Sequence, residues 1–229
     1  MLYKETVSKE MWELLQKLMK DNMLKEFNLV GGTALSLQIG HRLSIDIDLF
    51  SIHPFDSQKM KEYLVKNYGA FERHIFKNAV LMEIDGIKVD CITHQYPWQC
   101  EIKTTEGIRL ASLEDIGAMK LNAIMRSGER IKDFIDMYFL LEYHPMQTYL
   151  NTYENKYDTS HSLASIALLY HDQVDMHQKI SLLNNRDNNW STIRDRLKKA
   201  VVSPDKTFEY VQKIKTDIPQ QQKRKGFRR

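Results

Sequence analysis

Two short stretches of this 229-residue chain hold the residue types that handle phosphates and hard cations. In Gly31-Gly32-Thr33 the paired glycines let backbone N–H groups approach an anion with no Cβ in the way, and a helix starting there adds positive potential. Thr33 offers a hydroxyl contact. From Ser44 to Phe50 polar and apolar residues alternate, the two-residue period of a half-buried strand, so Asp46 and Asp48 share one face. Side-by-side carboxylates repel, and a bridging divalent cation offsets the repulsion; magnesium or manganese suits an all-oxygen site. Asp90 adds a third carboxylate, on the face of a neighbouring strand candidate opposite Ile87, Val89 and Cys91. A phosphate cradle beside converging carboxylates is what nucleotidyl transfer from a nucleoside triphosphate requires, with both attacking and leaving oxygens stabilised.

Each feature also has a plain structural explanation. A glycine pair before a helix is commonly a turn, an acidic strand face is commonly a solvated edge, and Asp90 alone reads as a strand-end charge. Their conjunction favours chemistry. Arg42, just before the acidic strand, would contact donor phosphate or acceptor backbone, or else cap the preceding helix.

The elements that must position these residues are legible in outline. Ser8 caps a helix carrying Met11, Leu14, Leu15, Leu18 and Met19, expected to end near Phe27. Residues 28–30 form a short buried strand entering the glycine pair, and residues 33–39 are helical. After Pro54 a helix over 57–67 and a strand over 71–76 are expected, and Asp85-Gly86 between two apolar runs marks a tight hairpin. Ser112 opens a helix through Ile116, Met119 and Ile124, and after Ser127-Gly128 a second carries Ile131, Phe134, Ile135, Tyr138 and Phe139 on one stripe. Lys132, Asp133 and Asp136 lie outside that stripe. Residues 145–160 and 184–189 read as linkers, and residues 162–180 and 190–201 as helices that pack or present a surface.

The run Gly31-Gly32-Thr33-Ala34-Leu35, followed by His41-Arg42-Leu43-Ser44-Ile45-Asp46-Ile47-Asp48-Leu49-Phe50, resembles the AbiEii/AbiGii nucleotidyltransferase toxin family. The likeness continues through Lys120-Leu121-Asn122-Ala123 and the 130–136 segment, about two thirds of the chain. It implies an α+β fold: a nucleotidyltransferase-like mixed sheet flanked by helices, then a mainly helical C-terminal region. The corresponding division is a catalytic core over 1–110 and a helical region over 111–229. The resemblance further implies magnesium, a nucleoside triphosphate donor, an acceptor hydroxyl such as that of transfer RNA or another RNA, and a cognate antitoxin protein in a toxin–antitoxin or phage-defence pair. Ser44, Asp46 and Asp48 match the family's catalytic strand, and Lys120 a basic residue near the triphosphate. Asp133 and Asp136 both fit the final acidic motif, Asp136 being slightly favoured. Such an aspartate would polarise the acceptor hydroxyl or orient Lys120 and Lys132; the plain alternative is an exposed Lys132–Asp136 pair at i,i+4 spacing.

Composition narrows the remaining classes. Hydrophobic residues at 42% and charged residues at 28% exclude a disordered chain, and no apolar run reaches the ~20 residues of a membrane helix. Without a signal-peptide pattern, a cytoplasmic location and free thiols at Cys91 and Cys100 are expected. The net charge of +3 does not by itself mark a nucleic-acid binder, although a basic tail at 223–229 could lie along phosphates. The competing function is a catalytically silent scaffold that binds nucleotide or RNA and acts through a protein partner.

Overall fold

The computed structural model describes residues 1–184, 186 and 189–209. Ser8 caps helix α1 (Lys9–Lys20) by accepting from the Met11 amide at 3.1 Å, and the apolar residues at helical spacing are all buried. The helix stops at Lys20, short of Phe27, because Asp21 turns to extended backbone and starts a separate 3-10 turn over Asn22–Leu24. Strand β1 (Asn28–Leu29), helix α2 (Gly31–Ile39), strand β2 (Asp46–Ser51) and helix α3 (Ser57–Tyr68) follow. Then come β3 (Phe71–Phe76), β4 (Ala79–Ile84) and β5 (Ile87–Thr93). Between β4 and β5, Asp85 and Gly86 both adopt positive φ, 50° and 78°, as a tight Asp-Gly hairpin turn demands.

A hairpin absent from the sequence reading comes next: β6 (Lys103–Thr105) and β7 (Ile108–Leu110), joined by Glu106-Gly107 at φ 51° and 83°. Among the described residues seven strands form one mixed sheet in the order β3-β4-β5-β2-β1-β7-β6. The acidic strand β2 lies fourth in that order, paired parallel to β5 and antiparallel to β1. Register places Asp48 beside Asp90 and Asp46 beside Lys88. Ile47 and Leu49 are buried on the other face, anchoring the strand through the hydrophobic core.

The helical part comprises α4 (Leu113–Arg126), α5 (Ile131–Leu140), α6 (Met146–Tyr157), α7 (Ser162–Ala167) and α8 (Trp190–Val202). Helix α4 packs against α5, α6 and α7 and also against α2, linking the helices to the glycine turn. The fold is therefore α+β, a mixed sheet flanked by helices and followed by a helical region. Residues 145–160, read as a linker, instead contain α6, whose Tyr149, Tyr153 and Lys156 are buried at helical spacing. The helix expected over 162–180 ends at Ala167; beyond it the chain makes turns and reaches Leu182, which pairs with Arg42. The 184–189 linker lies partly, and the basic tail at 223–229 wholly, outside the described residues. No helix among the described residues is long and apolar enough to cross a membrane, and Cys91 and Cys100 are free thiols.

Candidate active site

The glycine turn and the acidic strand touch directly. The Val30 amide donates to the Asp48 carbonyl at 3.0 Å, which lays the start of α2 against β2. Gly31 has φ +67°, and a Cβ there would overlap the Asp48 carboxylate; one on Gly32 would overlap the Arg42 guanidinium. Both glycines line the cleft that contains Asp46 and Asp48. Thr33 does not. It is buried, its hydroxyl donating to the Asp46 carbonyl and sharing a 2.8 Å bond with the Ser44 hydroxyl, so it braces the start of β2. Ser44 is buried yet still contributes to the cleft wall.

Behind this surface lies a buried charge network. Asp136 accepts from Arg42 Nε at 2.7 Å and Nη2 at 2.9 Å, from Lys120 Nζ at 2.7 Å and from His41 Nε2 at 2.8 Å. Burial alone would raise its pKa, but Arg42 and Lys120 hold it well below the usual carboxylate range. An ionised carboxylate only accepts, so His41 must donate. Asp133 bridges Lys120 at 2.7 Å and Arg130 at 2.8 Å. Burial likewise works against the Lys120 charge, yet Asp133 and Asp136 raise its pKa above the ordinary lysine value.

Neither late aspartate is placed to meet an acceptor hydroxyl. Both are buried, with their oxygens given to cations: of the two lysines they were expected to orient, Lys120 meets both, whereas Lys132 turns to Asp46. Nor do Lys132 and Asp136 form an exposed pair: Lys132 Nζ instead stands 3.8 Å from Asp46. Arg42 pairs with Asp136 while its guanidinium edges the cleft. Lys120 joins the same wall, so the network presents positive charge toward the acidic pair.

Withdrawal from water pushes the Asp48 carboxyl up to about 6, against the pull of Lys120 and with the help of Asp90 and Asp46. Asp46 Oδ1 is buried without a hydrogen-bond partner among the described residues. An orphaned oxygen beside a carboxyl reluctant to ionise, with room only for glycine opposite, fits a hard divalent cation held by Asp46 and Asp48. Asp90 sits beside Asp48 in register, but its Oδ1 accepts from Arg73 at 3.0 Å. Burial raises the Asp90 carboxyl and Arg73 opposes that rise. In consequence no group of three metal-binding side chains is assembled among the described residues. The three carboxylates expected to converge stand instead as two in the cleft, Asp46 and Asp48, with Asp90 alongside and engaged by arginine.

The cleft encloses about 310 Å³ and extends beyond the residues chosen from sequence. Its farther wall includes Phe50, His94, Tyr157 and Arg126, while Arg130 and Lys132 add charge. Phe50 had a signal: it continues the alternation of Asp46 and Asp48 onto the same strand face. His94 and Tyr157 come from a loop and from α6, and no local pattern joins them.

A family model described as nucleotidyl transferase AbiEii toxin, Type IV toxin–antitoxin system, matches residues 13–214. An uncharacterized protein of Aquifex aeolicus is 34% identical over 142 residues, covering 60% of this chain and 68% of that relative. The Megavirus polyadenylate synthase structure aligns with TM-score 0.43 and 21% identity over 60% of this chain, which spans only 32% of that chain's length. An antigenic nucleotidyltransferase-like protein from Paracoccidioides brasiliensis aligns with TM-score 0.49 and 15% identity, over 87% of this chain and 95% of the other.

Proposed function

Because the chain belongs to the AbiEii nucleotidyl transferase toxin family, we propose that it moves a nucleoside monophosphate from a nucleoside triphosphate to an acceptor hydroxyl on RNA, transfer RNA among the acceptors. One observation carries this reading: Asp46 and Asp48 face a cleft walled by Gly31-Gly32, Lys120 and Arg42, so carboxylates, backbone donors and fixed cations surround one space. Magnesium or manganese held by Asp46 and Asp48 would supply charge stabilisation for the attacking and leaving oxygens. The glycine turn and Lys120 would hold the triphosphate, with Lys132 and Arg130 nearby to neutralise charge on it or on an acceptor backbone.

In the reaction the acceptor oxygen bonds to the α-phosphorus while the bond to the pyrophosphate bridging oxygen breaks. Asp90, aligned with Asp48 and with one oxygen engaged by Arg73, is the carboxylate offered to the hydroxyl proton. His41, Asp133 and Asp136 position Arg42 and Lys120 without touching substrate. A toxin role, countered by an antitoxin protein or deployed against phage, follows the family's description and would express this activity on cellular RNA.

The test is incubation with total RNA and each of four α-phosphate-labelled nucleoside triphosphates, with and without magnesium. Label on RNA together with released pyrophosphate is expected, and both should vanish in Asp46→Ala. Nucleotide binding without transfer to RNA or protein, unaffected by magnesium or Asp48→Asn, would support a silent scaffold instead.

A further inference from the structure

The cleft has two chemically different ends. Asp46, Asp48, Arg42 and Lys120 occupy one; Phe50 begins the other, two residues and about 6.7 Å farther along the strand. There the His94 ring lies 5.5 Å from Phe50 at an interplanar angle of 37°, and 5.8 Å from Tyr157 at 81°. Tyr157 Oη is 3.3 Å from His94 Nε2. Burial, with Lys156 and Arg126 adding to it, lowers the His94 pKa to about 4, so the ring is neutral near pH 7 and retains one donor and one acceptor. Arg126, exposed on the last turn of α4, reaches the same cleft.

This wall is held rigid by residues that never reach the cleft's charged end. The His94 amide donates to the Ser51 carbonyl at 2.7 Å, tying the ring to the end of β2. The following loop is clamped by Asp115 and Lys156, both fully buried and 2.7 Å apart. Asp115 accepts from the Gln99 and Cys100 amides, and Lys156 donates to the Pro97 carbonyl at 3.0 Å and lies over the Trp98 ring. Lys156 and Tyr157 are neighbours on α6, so the clamp and the wall come from one turn of helix.

We propose that Phe50, His94 and Tyr157 form the seat of the donor nucleotide's base, with Arg126 at its edge, so that the helical region contributes directly to nucleotide recognition. This rests on the transfer reading above and adds the part of the substrate that the acidic pair does not address. A flat aromatic base gains by packing on aromatic rings, and a pre-set wall spends little of that gain on ordering side chains. The Arg126 guanidinium, and the His94 nitrogen not shared with Tyr157, are then the groups offered to a base edge, which a phosphate-only site would not need.

The test compares binding of the tightest of the four common nucleoside triphosphates with binding of ribose 5-triphosphate, which has no base. Calorimetry in magnesium on the full chain gives both affinities. Wild type should bind the nucleotide at least tenfold more tightly; His94→Ala and Phe50→Ala should each weaken it on the order of tenfold and leave ribose 5-triphosphate within about twofold. Phe50→Tyr, which keeps a ring, should stay near wild type, and unchanged melting temperatures would show intact folds. Equal weakening of both ligands, or no weakening of the nucleotide, overturns the proposal; an effect confined to the RNA Michaelis constant would instead assign the wall to the acceptor. If wild type binds the nucleotide with this base dependence yet transfers nothing, the base seat stands and the transfer reading falls. If neither compound binds, both fall.

Discussion

Lys120 Nζ and Asp136 Oδ2 meet at 2.7 Å in the protein interior, and the same carboxylate holds Arg42. This shared counterion aims two cations at the cleft without itself entering it. Removing it leaves buried charge uncompensated, so Asp136→Ala should lower unfolding free energy by about 3–5 kcal/mol. Urea denaturation checks this; a loss under 1 kcal/mol would mean that the network is not a structural unit.

Stability should fall as pH drops from about 6.5 to about 4. His41 and His94 are held near pKa 4 by burial, against an ordinary value of 6.5. In that window the unfolded chain binds protons that the folded chain refuses, so folding loses up to about 1.4 kcal/mol per pH unit for each histidine. The Asp48 carboxyl, raised to about 6, opposes this slope over the same window, so denaturation midpoints at intervals across this range are compared in Asp48→Asn, where a flat profile would contradict neutral burial.

Gly31→Ala should reduce transfer at least a hundredfold while leaving the fold intact. The residue holds φ +67°, and its Cβ would displace the Asp48 carboxylate from the cleft floor. Misplacement on the order of 1 Å is enough for such a loss. Turnover and melting temperature together check this, and near-normal turnover would dissociate the glycine turn from the chemistry.

Divalent-cation affinity should weaken below about pH 6, approaching tenfold per unit, because burial pushes the Asp48 carboxyl up to about 6 and a cation must displace its proton. Above that pH the affinity should level off. Calorimetric titration with magnesium in buffers of different ionisation enthalpy would also detect the released proton, and pH-independent binding without proton release would move the cation away from Asp48.

The parts of the site that were legible in sequence are those whose signal is local. Period-two alternation placed Asp46 and Asp48 on one face, and Asp85-Gly86 announced its hairpin through a turn that few other dipeptides favour. For Asp133 and Asp136 the sequence left two alternatives, a final acidic motif or an exposed pair with Lys132, because helical periodicity sorts residues only by polarity. The burial of both aspartates depends on Arg42 and Lys120, which arrive from other elements. In α6, polar residues hid the helix, although the spacing of Tyr149, Tyr153 and Lys156 gives its buried face. The β6–β7 hairpin was missed because three-residue strands carry too little alternation to register. The wall of Phe50, His94 and Tyr157 exists only once β2, the loop after β5 and α6 are folded together.

The most direct test of the central claim is a single-turnover measurement with α-labelled nucleoside triphosphate, RNA and magnesium on wild type and Asp48→Asn. Asp48→Asn keeps the side chain's shape and removes the charge facing Lys120. Transfer of label to RNA with equimolar pyrophosphate in wild type, and a loss of at least a thousandfold in Asp48→Asn at unchanged melting temperature, is the predicted result; this corresponds to removal of about 4 kcal/mol of transition-state stabilisation. Equal transfer by the two proteins, or none by wild type with any of the four nucleotides, would contradict it.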